Sequence, residues 1–153
     1  MFNHTPHNYI CPICLGIKGI ENEHTLLKKT DLVYRDDSIS IFVNSFFIKG
    51  NEGHIIIVPN SHYEHIYDLP TPIAHRIIEY AKKYSIMIKK AYNCQGVTLQ
   101  QNNEPAGDQH AYHFHLHVFP RYTNDSFFKN AKNKINTTHE ERAYYVNKLK
   151  SSV

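Results

Sequence analysis

Along residues 113–119 the side chains alternate between imidazole and hydrocarbon. His113, His115 and His117 fall on one side of an extended chain, and Phe114, Leu116 and Val118 fall on the other. A face so uniformly apolar predicts a strand laid on a core. Residues 54–59 predict a second strand, because Ile55, Ile56, Ile57 and Val58 form an unbroken apolar run closed by Pro59. A run without a polar face is the pattern of a central strand. Residues 31–35 and 38–44 are two short strand-like segments joined through the turn-forming pair Asp36-Asp37, and predict a hairpin. Residues 96–102 predict one more strand, leading into a polar loop over 103–109.

The period changes after Pro70. Ile73, Ile77, Ala81, Tyr84, Ile88 and Ala91 recur at helical spacing, with Thr71 as the expected N-cap and Pro72 as the first helical residue. Lys82, Lys83, Lys89 and Lys90 crowd the C-terminal half of this long helix, where they complement its dipole. Residues 15–30 carry no clear period and read as a helical turn and loop. Near the other end, Thr138 followed by Glu141 reads as a capping box opening a final helix through Leu149, with Ala143, Val146 and Leu149 as its buried stripe. The elements together predict an α+β fold.

Composition narrows the classes. A chain of 153 residues, 41% hydrophobic and 20% charged, supports one domain with a real core, expected here to span residues 1–153. The net charge of +3 suits a small anionic ligand, but no basic stripe of the kind a nucleic-acid binder needs is present. No stretch is long and apolar enough to span a membrane, and the first residues lack the charged and apolar regions of a leader, so a cytoplasmic protein is expected. Three cysteines are too few and wrongly spaced for a disulfide scaffold. The anomaly is histidine, with 12 copies.

Three imidazoles on one strand face can ligate a metal, or one can attack an electrophile while the others orient it and stabilise charge. Cys11-Pro12-Ile13-Cys14 is a second chemical motif. Two thiolates at that spacing form half of a tetrahedral zinc site, and equally the spacing of a redox pair; the absence of a strand over residues 1–10 argues against the thioredoxin-like context of the latter. In the loop before the histidines, Gly107 can bring backbone amides close to a phosphate.

The pattern His113-x-His115-x-His117, with apolar residues at each x, Gln109 upstream and Pro120-Arg121 downstream, resembles the signature of the histidine triad (HIT) family. The resemblance covers roughly residues 11–121 and leaves 122–153 as a C-terminal extension. It implies a HIT-like fold with about five antiparallel strands, one long helix and a C-terminal helix, assembled as a homodimer. It implies hydrolase or transferase chemistry at the α-phosphate of a nucleoside 5′-phosphate derivative, either a dinucleoside polyphosphate or a phosphoramidate, through a nucleotidyl-histidine intermediate. In that scheme His115 is the nucleophile. His117 and Gln109 stabilise phosphoryl oxygens, and His113 completes the catalytic set.

Phe42 matches the hydrophobic wall for the base, Asn44 the ribose-binding position, and Asn103 the polar residue at the reacting phosphate. His54 opens the family's second block and is a further candidate for the pocket wall. Family similarity also makes Cys11, Cys14, His62 and His113 the ligands of a structural zinc, with no catalytic cofactor required. Two features depart from the family. Asp108 interrupts the usual Gly-Gln doublet, and His110 stands where relatives often carry a small hydroxyl residue that touches phosphate. Two other readings stay open: a metal enzyme in which His113, His115 and His117 hold a catalytic ion, and a non-catalytic nucleotide-binding or scaffold protein.

Overall fold

A computed structural model describes residues 2–152, so the ends of the expected domain, residues 1 and 153, lie outside the described residues. In chain order the elements are α1 (Pro12–Lys18), β1 (Leu32–Arg35), β2 (Ile39–Val43), β3 (Phe46–Phe47), β4 (Ile55–Pro59), α2 (Thr71–Tyr92), β5 (Gly96–Gln101), β6 (Leu116–Arg121), α3 (Phe127–Asn130), β7 (Ile135–Asn136) and α4 (His139–Lys150). Five of the strands form one sheet in the order β1-β2-β4-β6-β5. Every neighbouring pair in it is antiparallel. This is the α+β arrangement expected from the sequence.

The expected hairpin is β1 and β2, and the apolar run is β4, buried at all five positions beside β2 and β6. Alternation then divides the sheet into two faces. Ile41, Val43, Ile55, Ile57, Leu116 and Val118 meet Ile77, Ala81, Tyr84 and Ile88 of α2 in the main core. Phe42, Ile56 and Val58 point the other way and are covered by Cys11, Ile13 and Ile17 of the N-terminal segment and by Leu27. The face carrying the histidines is therefore roofed rather than open.

Three local expectations need correction. Thr71 is the first helical residue and makes no side-chain cap; Pro70 occupies the cap position, and its carbonyl accepts from the amides of Ile73 and Ala74 at 2.9 and 3.0 Å. Pro72 then costs nothing, since a first-turn residue needs no amide donor. The triad strand begins at Leu116, not His113. Leu116 pairs with both Ile57 and Gln101; β5 stops at Gln101, and Pro59, which ends β4, has no amide to offer. His113 instead approaches the Pro59 carbonyl with its ring Nε2 at 3.0 Å. In α4 the buried residues are Arg142, Val146 and Leu149, with Ala143 only half-buried.

The capping box of α4 is present: Thr138 Oγ1 accepts from the Glu141 amide at 3.2 Å, and Glu141 Oε2 accepts from the Thr138 amide at 2.7 Å. The sequence pattern did not point to the small sheet in which β3 pairs with β7, Phe46 opposite Asn136 and Phe47 opposite Ile135. Helix α4 is seated by a close approach at Gly53, where a Cβ would lie 2.2 Å from the Tyr145 ring and where φ is +79°. Only glycine satisfies both conditions. Among the described residues no helix is long and apolar enough to cross a membrane.

Candidate active site and metal cluster

On the sheet face away from α2 lies a cavity of about 530 Å³. Its floor is Ile56 of β4 and His117 and Phe119 of β6, with His115 just before that strand. The walls come from Pro12 and Ile13 of α1, residues 23–27, Asn44 and Phe46 around the start of β3, Gln100 and Asn102 near the end of β5, and Ala131 and Lys134 beyond α3. A volume of this size is in the range of small-molecule sites.

The protonation of His115 follows from its neighbours. Its Nδ1 lies 2.8 Å from the His113 carbonyl, which can only accept, so Nδ1 carries the proton and Nε2 keeps its lone pair. Burial pushes this histidine below its ordinary pKa, and the His113 contact only partly opposes the shift. A neutral ring with one nitrogen fixed and the other lining a cavity is an oriented nucleophile. His117 sits edge-on to His115 at 4.8 Å and stacks on Phe119 at 5.3 Å. Burial, with His115, His54 and Lys134 adding to it, holds His117 well below the ordinary value.

His54 and Asn44 form a coupled pair in the wall. The Asn44 Oδ1 accepts from the Ser45 amide at 2.9 Å, which turns its amide nitrogen to donate to His54 Nε2 at 2.6 Å. His54 is thereby the Nδ1-protonated neutral tautomer, and burial lowers its pKa to about 3. Its ring lies 4.2 Å from Phe119 and 5.4 Å from His117.

The other expected site residues divide. His110 lines the cavity beside Asp108, whose carboxylate is 3.6 Å away. Phe42 is not among the lining residues; it is 1% exposed under the N-terminal segment. Gly107 closes a tight turn over residues 105–107 and also stays off the cavity. Asn103 is engaged away from it, accepting from the Ile66 amide at 2.9 Å and pairing with Gln101. Gln109 is buried and fully committed: its Oε1 accepts from the Glu104 amide at 2.7 Å, and its Nε2 donates to the carbonyls of Glu64 at 2.7 Å and Ala111 at 3.1 Å. It holds the loop in shape. Asp108, in place of the family's glycine, adopts φ +66° and lines the cavity itself.

His113 turns away from its two companions. Its Nε2–H donates to Pro59, which leaves the Nδ1 lone pair 3.5 Å from Cys11 Sγ and 3.4 Å from Cys14 Sγ. His62 Nδ1 lies 3.4 Å from Cys14 Sγ, and all four donor atoms fall within 4.8 Å of one another. The edge between a thiolate and an imidazole nitrogen of a tetrahedral zinc site is about 3.6 Å, from zinc bonds of about 2.3 and 2.1 Å. The Cys2His2 donor set fits that metal, and the Pro59 carbonyl supplies the outer contact that orients a ligating imidazole. Cys14 beside it holds the Cys11 thiol far below its ordinary range, and the Cys11 thiolate in turn pushes Cys14 up. His115 and His117 are not part of this cluster.

Sequence patterns pointed neither to Gln100 and Asn102 at one wall nor to Lys134 at the other. Lys134 sits among Lys129, Lys132 and Lys134, where spacing distinguishes none of them.

A sheet of this topology with two histidines facing a roofed cavity and a third in a cysteine cluster defines an α+β domain of the histidine triad class. The HIT domain family model matches residues 26–124, and the chain belongs to that family. It is 25% identical over 136 residues to an uncharacterized HIT-like protein of Saccharolobus solfataricus, covering 89% of this chain and 90% of that protein. It is 28% identical over 112 residues to an adenylylsulfatase of Arabidopsis thaliana, covering 73% of this chain but 54% of the plant protein. A zinc-bound histidine triad family protein from Mycobacterium smegmatis has the same fold, with a TM-score of 0.75, 17% identity, and coverage of 93% and 91% of the two chains. So does the diadenosine triphosphate hydrolase of Plasmodium falciparum, with a TM-score of 0.71, 18% identity, and coverage of 99% and 87%.

Proposed function

We propose that this chain is a cytoplasmic homodimeric nucleotide hydrolase or transferase, one HIT domain with residues 122–153 as an extension, cleaving at the α-phosphate of nucleoside 5′-phosphate derivatives. The observation that carries the reading is the 2.8 Å contact from His115 Nδ1 to the His113 carbonyl, which leaves Nε2 as the free nucleophilic nitrogen of a ring in the cavity wall. In the first step Nε2 attacks the α-phosphorus, a P–N bond forms, and the bond from phosphorus to the leaving group breaks with its electron pair going to that group; a phosphoramidate nitrogen takes up a proton from solvent and departs as the neutral amine. Water then attacks the same phosphorus, the P–N bond breaks, and the electron pair returns to Nε2 as the nucleoside monophosphate and a proton are released. His117 lies next to the nucleophile and serves as the donor to the phosphoryl oxygens, an electrostatic role. Asn44 receives the ribose. The adenylylsulfatase and diadenosine triphosphate hydrolase activities named for two proteins similar to this chain support anhydride substrates.

The cluster of Cys11, Cys14, His62 and His113 is assigned to a structural zinc. When bound, the ion fixes His113 and the N-terminal segment as one unit, and the chemistry is left to His115. His113 in this reading positions the nucleophile through its carbonyl.

The test is brief incubation of wild type and His115→Ala with adenosine 5′-phosphosulfate, diadenosine tetraphosphate and adenosine 5′-phosphoramidate. Product analysis and intact mass are the readouts. The expected result is AMP from wild type alone, with an adenylate-mass adduct on His115. Equal turnover by both proteins would move the site elsewhere. Binding of AMP without turnover by either would replace the enzyme with a nucleotide-binding protein.

A further inference from the structure

Lys134 is the one lysine among the residues that line the cavity, and no arginine accompanies it. It lies beyond residue 124, where the match to the HIT domain ends. The segment that carries it is fastened at both ends. Ahead of it, the Asn130 side-chain amide donates to the Lys49 carbonyl at 2.9 Å. Behind it, Ile135 and Asn136 pair with Phe47 and Phe46, and Thr137 Oγ1 donates to the Ser45 carbonyl at 2.8 Å. Its ammonium makes no ion pair among the described residues.

The buried imidazoles of the lining supply no lasting positive charge. His54 is neutral at ordinary pH, and burial depresses His117 strongly in the same direction. The two acidic lining residues are Glu23 and Asp108, each with a histidine beside it, His24 at 3.5 Å and His110 at 3.6 Å. Lys134 lines the same cavity as His54, His115 and His117. An amine that has taken up a proton leaves as a neutral molecule and needs no cation in the cavity. An anionic leaving group needs a cation within reach, because charge brought into a partly desolvated site is costly unless compensated.

We propose that Lys134 is a specificity-determining residue that binds the anionic leaving group, so that this chain prefers phosphoanhydride substrates, with a phosphate or sulfate leaving group, over phosphoramidates with an amine. The leaving-group role rests on the nucleotide-hydrolase reading. The anion site itself does not.

Two measurements separate them. Calorimetry with inorganic pyrophosphate, in wild type, Lys134→Met and Lys134→Arg, reads the anion site without turnover. Lys134 is exposed, so the methionine variant keeps the fold and the stem of the side chain. Methionine is expected to weaken pyrophosphate about tenfold or more, with arginine restoring most of it. In parallel, kcat/KM is measured for adenosine 5′-phosphosulfate and adenosine 5′-phosphoramidate; the anhydride-to-amidate ratio is expected to fall about tenfold in Lys134→Met. Absent or unchanged pyrophosphate binding overturns the proposal, and so does an unchanged ratio in an active enzyme. If neither nucleotide is cleaved while pyrophosphate binding still depends on Lys134, the hydrolase reading fails and the anion site stands. If both nucleotides are cleaved at an unchanged ratio, the hydrolase stands and Lys134 has no part in its choice of substrate.

Discussion

Arg142 Nε donates to Asp31 Oδ1 across 2.8 Å, with the two side chains only 5% and 0% exposed. The guanidinium also donates to the carbonyls of Thr137 at 2.9 Å and Leu26 at 3.2 Å. One buried cation thus ties α4 to the turn before β1, and to two segments that border the cavity.

Removing one member of such a pair leaves the other charge buried and unpaired, at a cost of about 3–5 kcal/mol. Arg142→Met is therefore expected to lower unfolding stability by that amount in urea. Arg142→Met combined with Asp31→Leu should recover a large part of it, because no lone charge then remains. A single variant as stable as wild type would show that α4 is held by its apolar contacts alone.

Loss of a thiolate from the Cys2His2 cluster should be read in two assays. Wild type is expected to carry close to one zinc per chain by elemental analysis, and Cys14→Ser much less. Losing about 3 kcal/mol of metal-linked stability corresponds to a drop in Tm of roughly 10 °C for a chain of this size. Turnover should fall as well, since the carbonyl that orients His115 belongs to His113, a member of the same Cys2His2 cluster. Zinc content and Tm unchanged by the substitution would remove the cluster from the metal assignment.

His54 gives a pH signature. Its folded pKa of about 3 lies below the ordinary value of 6.5, so the folded protein keeps this ring neutral while the unfolded chain takes up a proton. The stability it contributes is complete above about pH 6.5 and is lost as pH falls toward 3, at about 1.4 kcal/mol per unit. Between pH 6.5 and 5 wild type is expected to lose about 2 kcal/mol more than His54→Leu, from urea midpoints at each pH. Parallel pH profiles for the two proteins would mean that His54 titrates alike in both states.

Features that depend on near neighbours in sequence were legible. The β1–β2 hairpin, the apolar run of β4, the long helix and the Thr138–Glu141 box are all set by spacing within one turn or one strand. So were the histidines and the cysteine pair, because identical side chains at fixed intervals stand out. Features made by distant residues were not. Nothing local marks Arg142 as the partner of Asp31, far away in the chain, or Phe46 and Phe47 as a strand for Ile135 and Asn136. Gln109 shows the limit most clearly: its position relative to His115 fits a phosphate donor, yet its side chain is spent on Glu104, Glu64 and Ala111. Position in a motif gives proximity; the free valences of a side chain are decided by the loop around it.

Lys134 reaches the cavity from a segment that follows every histidine of the triad and is secured by β7 and α4. The histidines and the lysine of one cavity therefore come from separate stretches of the chain, so a substitution in the C-terminal segment can change the charge of one wall and leave the nucleophile as it is.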